Sequence, residues 1–345
     1  MSALGDIIQS FTVLETLKKR FPEAQIDWAV EKRFASIVEA HPHVHQTIAI
    51  ERRFGGYVRA AGELRRVSYD LVFDLQGNCK SGLTTLLSKS RCKVGFGWKC
   101  VREWPNLLAT NRRYDVPSNL NIRFQLLSLA EQALGNLELP SPSGGVRFKI
   151  SAEERQKIES ILKTAASGRE KIMVCLGSKW KNKQLPLSTL ASFLAKIDVS
   201  MKASFFLIWG NPEEKRSCEE LQTRFPENSL VVDRLELPVW QNLMDEMDLI
   251  IAFDSGALHL AGTTSTPSFS IFGPTMPGIF KPLGSNHFSM RGECPYQRRF
   301  EKQCPLLRTC PTGACIRNLE ADEIFSRFWA WQQSLTINDK TSHRK

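Results

Sequence analysis

Several features that would assign a chain to a common class of protein are missing from this sequence. No stretch of the 345 residues approaches the ~18 apolar residues needed to span a bilayer, and no signal peptide is evident at the N-terminus. No internal repeat or low-complexity run is present. The net charge of +10 is accompanied by no zinc-finger, RNP or basic-zipper pattern, so nucleic acid is not an expected partner. We therefore expect a cytoplasmic globular protein.

The sequence also has no C-x-x-C motif among its nine cysteines. Five are scattered along the chain and are expected to be reduced thiols in a cytoplasmic protein. The other four cluster in one Pro-rich segment, at Cys294, Cys304, Cys310 and Cys315. Zinc is conceivable there, but without a C-x-x-C pair we predict no metal site. The alternating histidines of HPHVH at residues 41–45 are likewise expected to form a loop.

The chain length and the distribution of charge limit the number of domains and the kind of partner to be expected. A chain of 345 residues is long for one core and comfortable for two domains. Basic pairs recur along it, such as Arg52-Arg53, Arg65-Arg66 and Arg112-Arg113. A single pair is usually a solvated helix end or loop. Together the pairs suit a protein that meets an anionic substrate or the anionic cytoplasmic face of a membrane.

The stretch from Asp248 to Gly284 has the pattern strand, turn, helix, strand, turn. The apolar run 249–253 is typical of a strand that is buried on both faces of a parallel sheet. Asp254-Ser255-Gly256 follows at once, with Ser255 as a predicted N-cap of a short helix. A second apolar strand, 267–272, ends in another tight turn at the same edge of the sheet, which favours a ligand crevice there.

A small-residue turn between a strand and a helix presents free backbone N–H groups, which can bind an anion. His259 lies one turn into the predicted helix, where its imidazole could face the same anion, and Asp254 could accept from a sugar hydroxyl. The alternative is that Ser255-Gly256 is a structural turn and His259 a core histidine. The motif alone leaves both interpretations open.

The two segments DSGALHLA and PSFSIFGPT together resemble the donor-site signature of the lipopolysaccharide heptosyltransferases, glycosyltransferase family 9. This resemblance covers nearly the whole chain. It implies an α/β architecture of the GT-B type, in which two doubly wound Rossmann-like domains face a cleft. In the family an apolar strand leads into the turn at residues 2–6, whereas this sequence starts at the turn. We therefore expect a first domain without its first strand and suspect that the start is assigned too late.

The βα alternation supports the two-domain interpretation. A Pro/Gly/Ser linker at residues 140–145 separates two βα series. We predict an acceptor-binding domain over residues 1–145 and a nucleotide-sugar donor-binding domain over residues 146–319. The remaining residues, 320–345, are predicted to form a helix that crosses back onto the first domain, as the resemblance implies, and a tail.

The resemblance also implies roles for individual residues. Asp6 matches the catalytic turn of the family and is the predicted general base, although an Asp there could merely cap the following helix. The loop after the strand at 172–176 takes the place of a phosphate-contacting lysine, here Lys183, although the local pattern departs from the family's. Glu214 is the predicted ribose contact, with an acidic first helical turn as its alternative. The predicted donor-binding residues are Ser178, Lys179, Lys183, Glu214, Asp254, Ser255, Gly256 and His259, and the predicted acceptor-binding residues are Gln76, Lys80 and Arg102.

The implied function is inverting transfer of heptose from ADP-heptose to an anionic lipid-linked acceptor, the Kdo-lipid A or inner core of lipopolysaccharide. No Asp-x-Asp occurs in the chain, which argues against the metal-dependent GT-A class, and we expect neither metal nor cofactor. The enzyme is expected to be a monomer that contacts the inner membrane surface peripherally. Two alternatives stay open: a sugar-nucleotide epimerase of the same architecture, and a non-catalytic protein that binds an ADP-sugar.

Overall fold

The computed structural model describes residues 3–140, 145–165, 168–178 and 180–342, with side chains described as far as residue 335. The chain divides into two compact units, Met1–Lys149 and Ile150–Lys345, each with its own core. Within the described residues, no helix combines the length and the apolarity that a bilayer crossing requires.

The first unit alternates helices with short strands. Its helices are α1 (Leu4–Arg20), α2 (Ala35–Glu39), α3 (Phe54–Leu64), α4 (Cys79–Leu87) and α5 (Ile122–Ala133), with 3₁₀ helices at Lys32–Phe34 and Trp104–Ala109. Its strands are β1 (Asp27–Glu31), β2 (Gln46–Ile50), β3 (Val72–Phe73), β4 (Lys93–Phe96) and β5 (Arg112–Tyr114).

The strands of the first unit form two separate parallel sheets. One is the pair β1–β2, and the other has the order β3-β4-β5. Helix α1 is amphipathic and buries Ile7, Ile8, Phe11 and Leu14, each at most 2% exposed. Within the described residues 3–140, no strand joins the two sheets.

The second unit is a longer βα series. Its helices are α6 (Ala152–Leu162), α7 (Leu187–Met201), α8 (Pro212–Arg224), α9 (Leu237–Asp245), α10 (Gly256–Ala261), α11 (Pro277–Phe280), α12 (Ala314–Arg317) and α13 (Ala321–Ser342), with a 3₁₀ helix at Lys181–Lys183. Its strands are β6 (Glu170–Cys175), β7 (Ala203–Ile208), β8 (Ser229–Val231), β9 (Leu249–Phe253), β10 (Ser268–Phe272) and β11 (His287–Arg291).

These six strands form one parallel sheet with the order β11-β10-β9-β6-β7-β8. Every residue of β7, β9 and β10 is buried, because helices cover both faces of the sheet. All pairings are parallel, so the carboxyl ends of β6, β9 and β10 meet at one edge. The loops that follow these strands carry most of the predicted donor-binding residues.

The long helix α13 packs on the second unit. The ring of Phe328 lies 5.6 Å from that of Phe193 on α7 and 5.3 Å from that of Phe269 on β10, in edge-to-face geometry. Trp331 is also buried against Phe269. The described side chains of this helix therefore extend the core of the second unit. That residues 320–345 return to the first domain stays a prediction.

Candidate active site

Asp6 lies in the first turn of α1, but it does not cap the helix. The N-cap position falls on Ala3, whose side chain has no acceptor. The Asp6 carboxylate is 27% exposed and bonds to side chains from other elements. Asp6 thus does not occupy the N-cap position, although as an acidic residue of the first turn it still interacts favourably with the helix dipole.

Two predicted acceptor-binding residues meet at Asp6. Gln76 Nε2 donates to Asp6 Oδ2 at 3.1 Å, and Arg102 Nη1 donates to the same oxygen at 3.2 Å. The other carboxylate oxygen, Oδ1, is not used by either bond. Lys80 is exposed in the first turn of α4 and is the predicted acceptor residue that makes no bond to Asp6 in the described structure. The structure thus brings together three of the four residues predicted for this side of the reaction.

A buried aspartate that sequence reasoning missed builds the loop that holds Gln76. Asp74 is 2% exposed and follows β3 directly. Its Oδ1 accepts from the backbone N–H groups of Gln76 at 3.0 Å and Gly77 at 2.9 Å, and Asn106 Nδ2 donates to its Oδ2 at 2.6 Å. Gly77 has a φ of +66°, which favours glycine. In the sequence, an Asp at the end of a predicted strand with a Gly three residues later could have indicated this tight loop.

On the second unit, Lys183 and Asp254 form a buried ion pair. Lys183 Nζ lies 2.5 Å from Asp254 Oδ2, with the two side chains 13% and 6% exposed. Thr275 Oγ1 donates to the same carboxylate oxygen at 2.5 Å. This pair joins the loops after β6, β9 and β10. Thr275 belongs to the turn that the sequence placed at this edge, but its bond to Asp254 was not predicted.

Ser255 takes the N-cap position of α10, as predicted, but makes no capping hydrogen bond. Within the described part of the chain, no group bonds its buried Oγ atom. A buried hydroxyl without a partner costs free energy, so Ser255, next to Asp254, carries an unsatisfied polar group at the loop edge of the sheet. Gly256 begins α10 and His259, which is 6% exposed, lies in it. Because α10 has only six residues, its dipole is a minor part of any anion site.

A hydrogen bond from a side-chain amide closes the loop after β6. Ser178 is 8% exposed, and its carbonyl oxygen accepts from Gln184 Nε2 at 2.7 Å. This bond closes the loop from which Lys183 reaches Asp254. Lys179, also predicted to bind the donor, lies outside the described residues.

Glu214 lies in the first turn of α8, whose N-cap is Asn211. Its Oε2 accepts from the backbone N–H of Gly210 at 2.7 Å, and Asn211 Oδ1 accepts from the N–H of Glu214 at 3.0 Å. A Cβ atom on Gly177 would lie 2.6 Å from Glu214 Oε2, so a larger residue at position 177 would displace this carboxylate. The carboxylate therefore closes the loop after β7 against the loop after β6, and its role as a ribose contact stays a prediction.

The four-cysteine segment surrounds a cavity of about 280 Å³ in the second unit. Cys294, Cys304, Cys310 and Cys315 all line it, and all nine cysteines of the chain are free thiols. Among the described residues, no three His, Cys, Asp or Glu side chains are close enough together to hold a metal ion. The segment supports the donor loops instead, because Asn182 Nδ2 donates to the carbonyl of Leu307 at 3.1 Å.

The thiols differ in their environments, which predicts a difference in reactivity. The Gly313 N–H donates to Cys310 Sγ at 3.4 Å and lowers the pKa of that thiol. The carboxylate of Glu103, hydrogen-bonded to the Cys79 thiol, raises the pKa of Cys79. At pH 7 we therefore expect iodoacetamide to alkylate Cys310 faster than Cys79, although Cys79 is the more exposed. A time course of peptide masses measures both rates.

A matched variant controls this prediction. Cys310→Ser should leave the alkylation rate of Cys79 unchanged. Faster alkylation of Cys79 than of Cys310 in the wild-type chain would show that exposure outweighs the thiolate fraction.

The chain has two compact α/β units, with a carboxylate bonded to amide and guanidinium groups on the first and a lysine anchored at the loop edge of a parallel sheet on the second. These features fit the two-domain GT-B fold. Comparison with solved structures agrees on the fold. Escherichia coli heptosyltransferase WaaC, solved with ADP, superposes with a TM-score of 0.76 at 20% identity, over 96% of this chain and 98% of that one. E. coli ADP-heptose lps heptosyltransferase II gives a TM-score of 0.75 at 18% identity, over 97% and 98%.

Residues 57–309 match the family model described as glycosyltransferase family 9 (heptosyltransferase), and the chain belongs to that family. It is therefore a glycosyltransferase, as the sequence resemblance predicted. Lipopolysaccharide heptosyltransferase 1 of Campylobacter coli is 30% identical over 284 residues, which cover 80% of this chain and 82% of that protein. The Pseudomonas aeruginosa protein of the same name is 28% identical over 314 residues, with 88% and 85% covered.

Proposed function

We propose that this chain transfers heptose from ADP-heptose to the Kdo-lipid A or inner core of lipopolysaccharide, with inversion and without a metal ion. The observation that carries the proposal is the arrangement at the loop edge of the second unit. There the Lys183 ammonium is anchored by Asp254 beside the unpartnered Ser255 hydroxyl. A cation and a free donor at one place fit the diphosphate of a nucleotide sugar.

Lys183 has the capacity for this role while it stays bonded to Asp254. An ammonium group has three N–H donors, and the bond to Asp254 Oδ2 uses one of them. The two others can donate to phosphate oxygens. Asp254 thus acts by fixing the direction of the ammonium, and Thr275 fixes Asp254 in turn. As the glycosidic bond breaks, these donors stabilise the negative charge that develops on the departing ADP.

Asp6 is proposed as the general base. Inverting transfer needs a group that removes the proton of the acceptor hydroxyl as the hydroxyl oxygen attacks the anomeric carbon. Its Oδ2 accepts from Gln76 and Arg102, which leaves Oδ1 to receive that proton. Arg102 also offers a positive charge to an acceptor that bears phosphates and carboxylates.

Independence of a divalent metal rests on the sequence and on Lys183. No Asp-x-Asp occurs in the chain, and a lysine with hydroxyl and backbone donors can neutralise a departing diphosphate in place of a cation. Activity in the presence of EDTA at the rate seen with added Mg²⁺ is the expected result.

The acceptor is proposed to be an anionic lipid-linked oligosaccharide, met by a monomeric enzyme at the cytoplasmic face of the inner membrane. The net charge of +10 favours approach to such a surface. The two curated relatives, which are named as lipopolysaccharide heptosyltransferases, support the same class of acceptor.

Release of ADP from ADP-heptose, measured with and without Kdo-lipid A, tests the proposal. We expect release only when the acceptor is present. Interconversion of the nucleotide sugar without an acceptor would instead identify an epimerase. Binding of ADP-heptose with no turnover, either with Kdo-lipid A or with its monoheptosyl form, would identify a binding protein.

A further inference from the structure

The first unit exposes four large apolar side chains on two neighbouring elements. Leu83 and Leu86 of α4 are 41% and 50% exposed, and Trp104 and Leu108 of the adjacent 3₁₀ helix are 64% and 75% exposed. We refer to these four residues as the apolar patch. Exposed large apolar groups that cluster on one surface are a sign of an interaction site rather than of a free surface.

The two elements that carry the apolar patch lie side by side. The Cys79 N–H at the start of α4 donates to Glu103 Oε2 at 2.7 Å. One turn later, a Cβ atom on Gly82 would lie 3.4 Å from the Cβ of Ala109. Gly82 and Ala109 thus allow the two elements to approach closely, while the four side chains of the apolar patch stay exposed. Leu83 and Leu86 are three residues apart and share one face of α4.

The segment that carries the apolar patch is also the most basic part of the chain. Residues 75–114 contain eight Lys and Arg and one acidic residue, Glu103, so this segment supplies +7 of the net charge of +10. Lys80, Lys89, Lys99 and Arg102 are exposed within it. A tryptophan and leucines surrounded by lysine and arginine match the headgroup region of an anionic bilayer, where amphipathic aromatic rings and cations are both favoured.

We propose that the apolar patch docks the enzyme on an anionic lipid bilayer, with the leucines and Trp104 among the acyl chains and the basic side chains at the headgroups. The proposal rests on the proposed function, in which the acceptor is a lipid. It also accounts for the position of the patch. Trp104 lies two residues after Arg102, whose guanidinium bonds to Asp6, so docking brings the lipid surface beside the proposed base.

Co-sedimentation with vesicles tests the proposal. We compare the wild-type chain with Trp104→Ser/Leu108→Ser, using vesicles of phosphatidylethanolamine and phosphatidylglycerol, and vesicles of phosphatidylcholine alone. The wild-type chain should bind the anionic vesicles and lose binding as salt is raised. The double variant should bind them more than about tenfold more weakly, because it loses two apolar side chains from the contact. Val199→Ser, which changes an apolar residue 87% exposed on α7, is the matched control and should bind like wild type.

The outcomes separate this inference from the proposed function. The double variant should keep the wild-type affinity for ADP, because the altered residues are exposed and lie outside the donor site. Equal vesicle binding by wild type and double variant, or no binding by wild type, overturns the docking surface. A wild-type dimer in light scattering that the double variant converts to a monomer would assign the apolar patch to a second copy of the chain. Failure of transfer to Kdo-lipid A dispersed in detergent would overturn the proposed function alone.

Discussion

Replacement of Asp6 by Asn is expected to lower kcat of heptose transfer by about 10²- to 10⁴-fold, the usual contribution of a general base. Asn keeps the size of the side chain and can still accept from Gln76 and Arg102. It cannot take up the proton of the acceptor hydroxyl. The measurement is kcat for the wild type and the variant at saturating donor and acceptor.

The fold should survive this change. The Asp6–Arg102 ion pair is 27% and 52% exposed, and such pairs contribute only about 0–1 kcal/mol to stability. ADP affinity should also be unchanged, because the donor residues belong to the second unit. Asp70→Asn, at an exposed acidic residue of the first unit, is the control and should be fully active. An Asp6→Asn enzyme with wild-type kcat would remove Asp6 from the mechanism.

Replacement of Asp254 by Asn is expected to destabilise the second unit by about 3–5 kcal/mol, because Lys183 then becomes a buried charge without its partner. The loops after β6, β9 and β10 lose the carboxylate that joins them. Hydrogen exchange of β9 amides measures the loss directly, since it reports opening of the second unit separately from the first.

A double variant distinguishes stability from binding at this pair. Asp254→Leu/Lys183→Met replaces both charged groups by apolar ones of similar size, so most of the lost protection in β9 should return. ADP affinity of the double variant should be lower than that of the wild type, because the ammonium is gone, and a charged hydrogen-bond donor is worth about 1.5–3 kcal/mol. Wild-type protection in Asp254→Asn, or wild-type ADP affinity in the double variant, would contradict the role assigned to the pair.

The second unit could be predicted from the sequence because its strands are buried on both faces. Two of them read LIIAF at 249–253 and SFSIF at 268–272, and all their residues are buried, so apolar and exposed positions do not alternate. The turn between these strands contains the expected small residues. Strands β5 and β11 were missed for the opposite reason. They read Arg-Arg-Tyr and His-Phe-Ser-Met-Arg, lie at the edges of their sheets and stay partly exposed.

The candidate site was predicted as a set of residues but not as a set of contacts. Asp6 and Arg102 are 96 residues apart, and Lys183 and Asp254 are 71 apart, so only the tertiary fold can pair them. The sequence gives each side chain its chemistry. Its partner depends on which loops the sheet brings to one edge. Asp74 illustrates the same limit, because its importance comes from two hydrogen bonds within its own loop and a third to Asn106 of the 3₁₀ helix Trp104–Ala109.

The most direct test of the central claim is the NMR spectrum of Kdo-lipid A after incubation with the wild-type chain and ADP-heptose. We expect one added heptose whose anomeric configuration is opposite to that of the donor, as a single displacement assisted by Asp6 requires. An added heptose with the donor's configuration would contradict the direct role of Asp6. Acceptor recovered without heptose, while ADP-heptose is bound, would contradict transferase function itself.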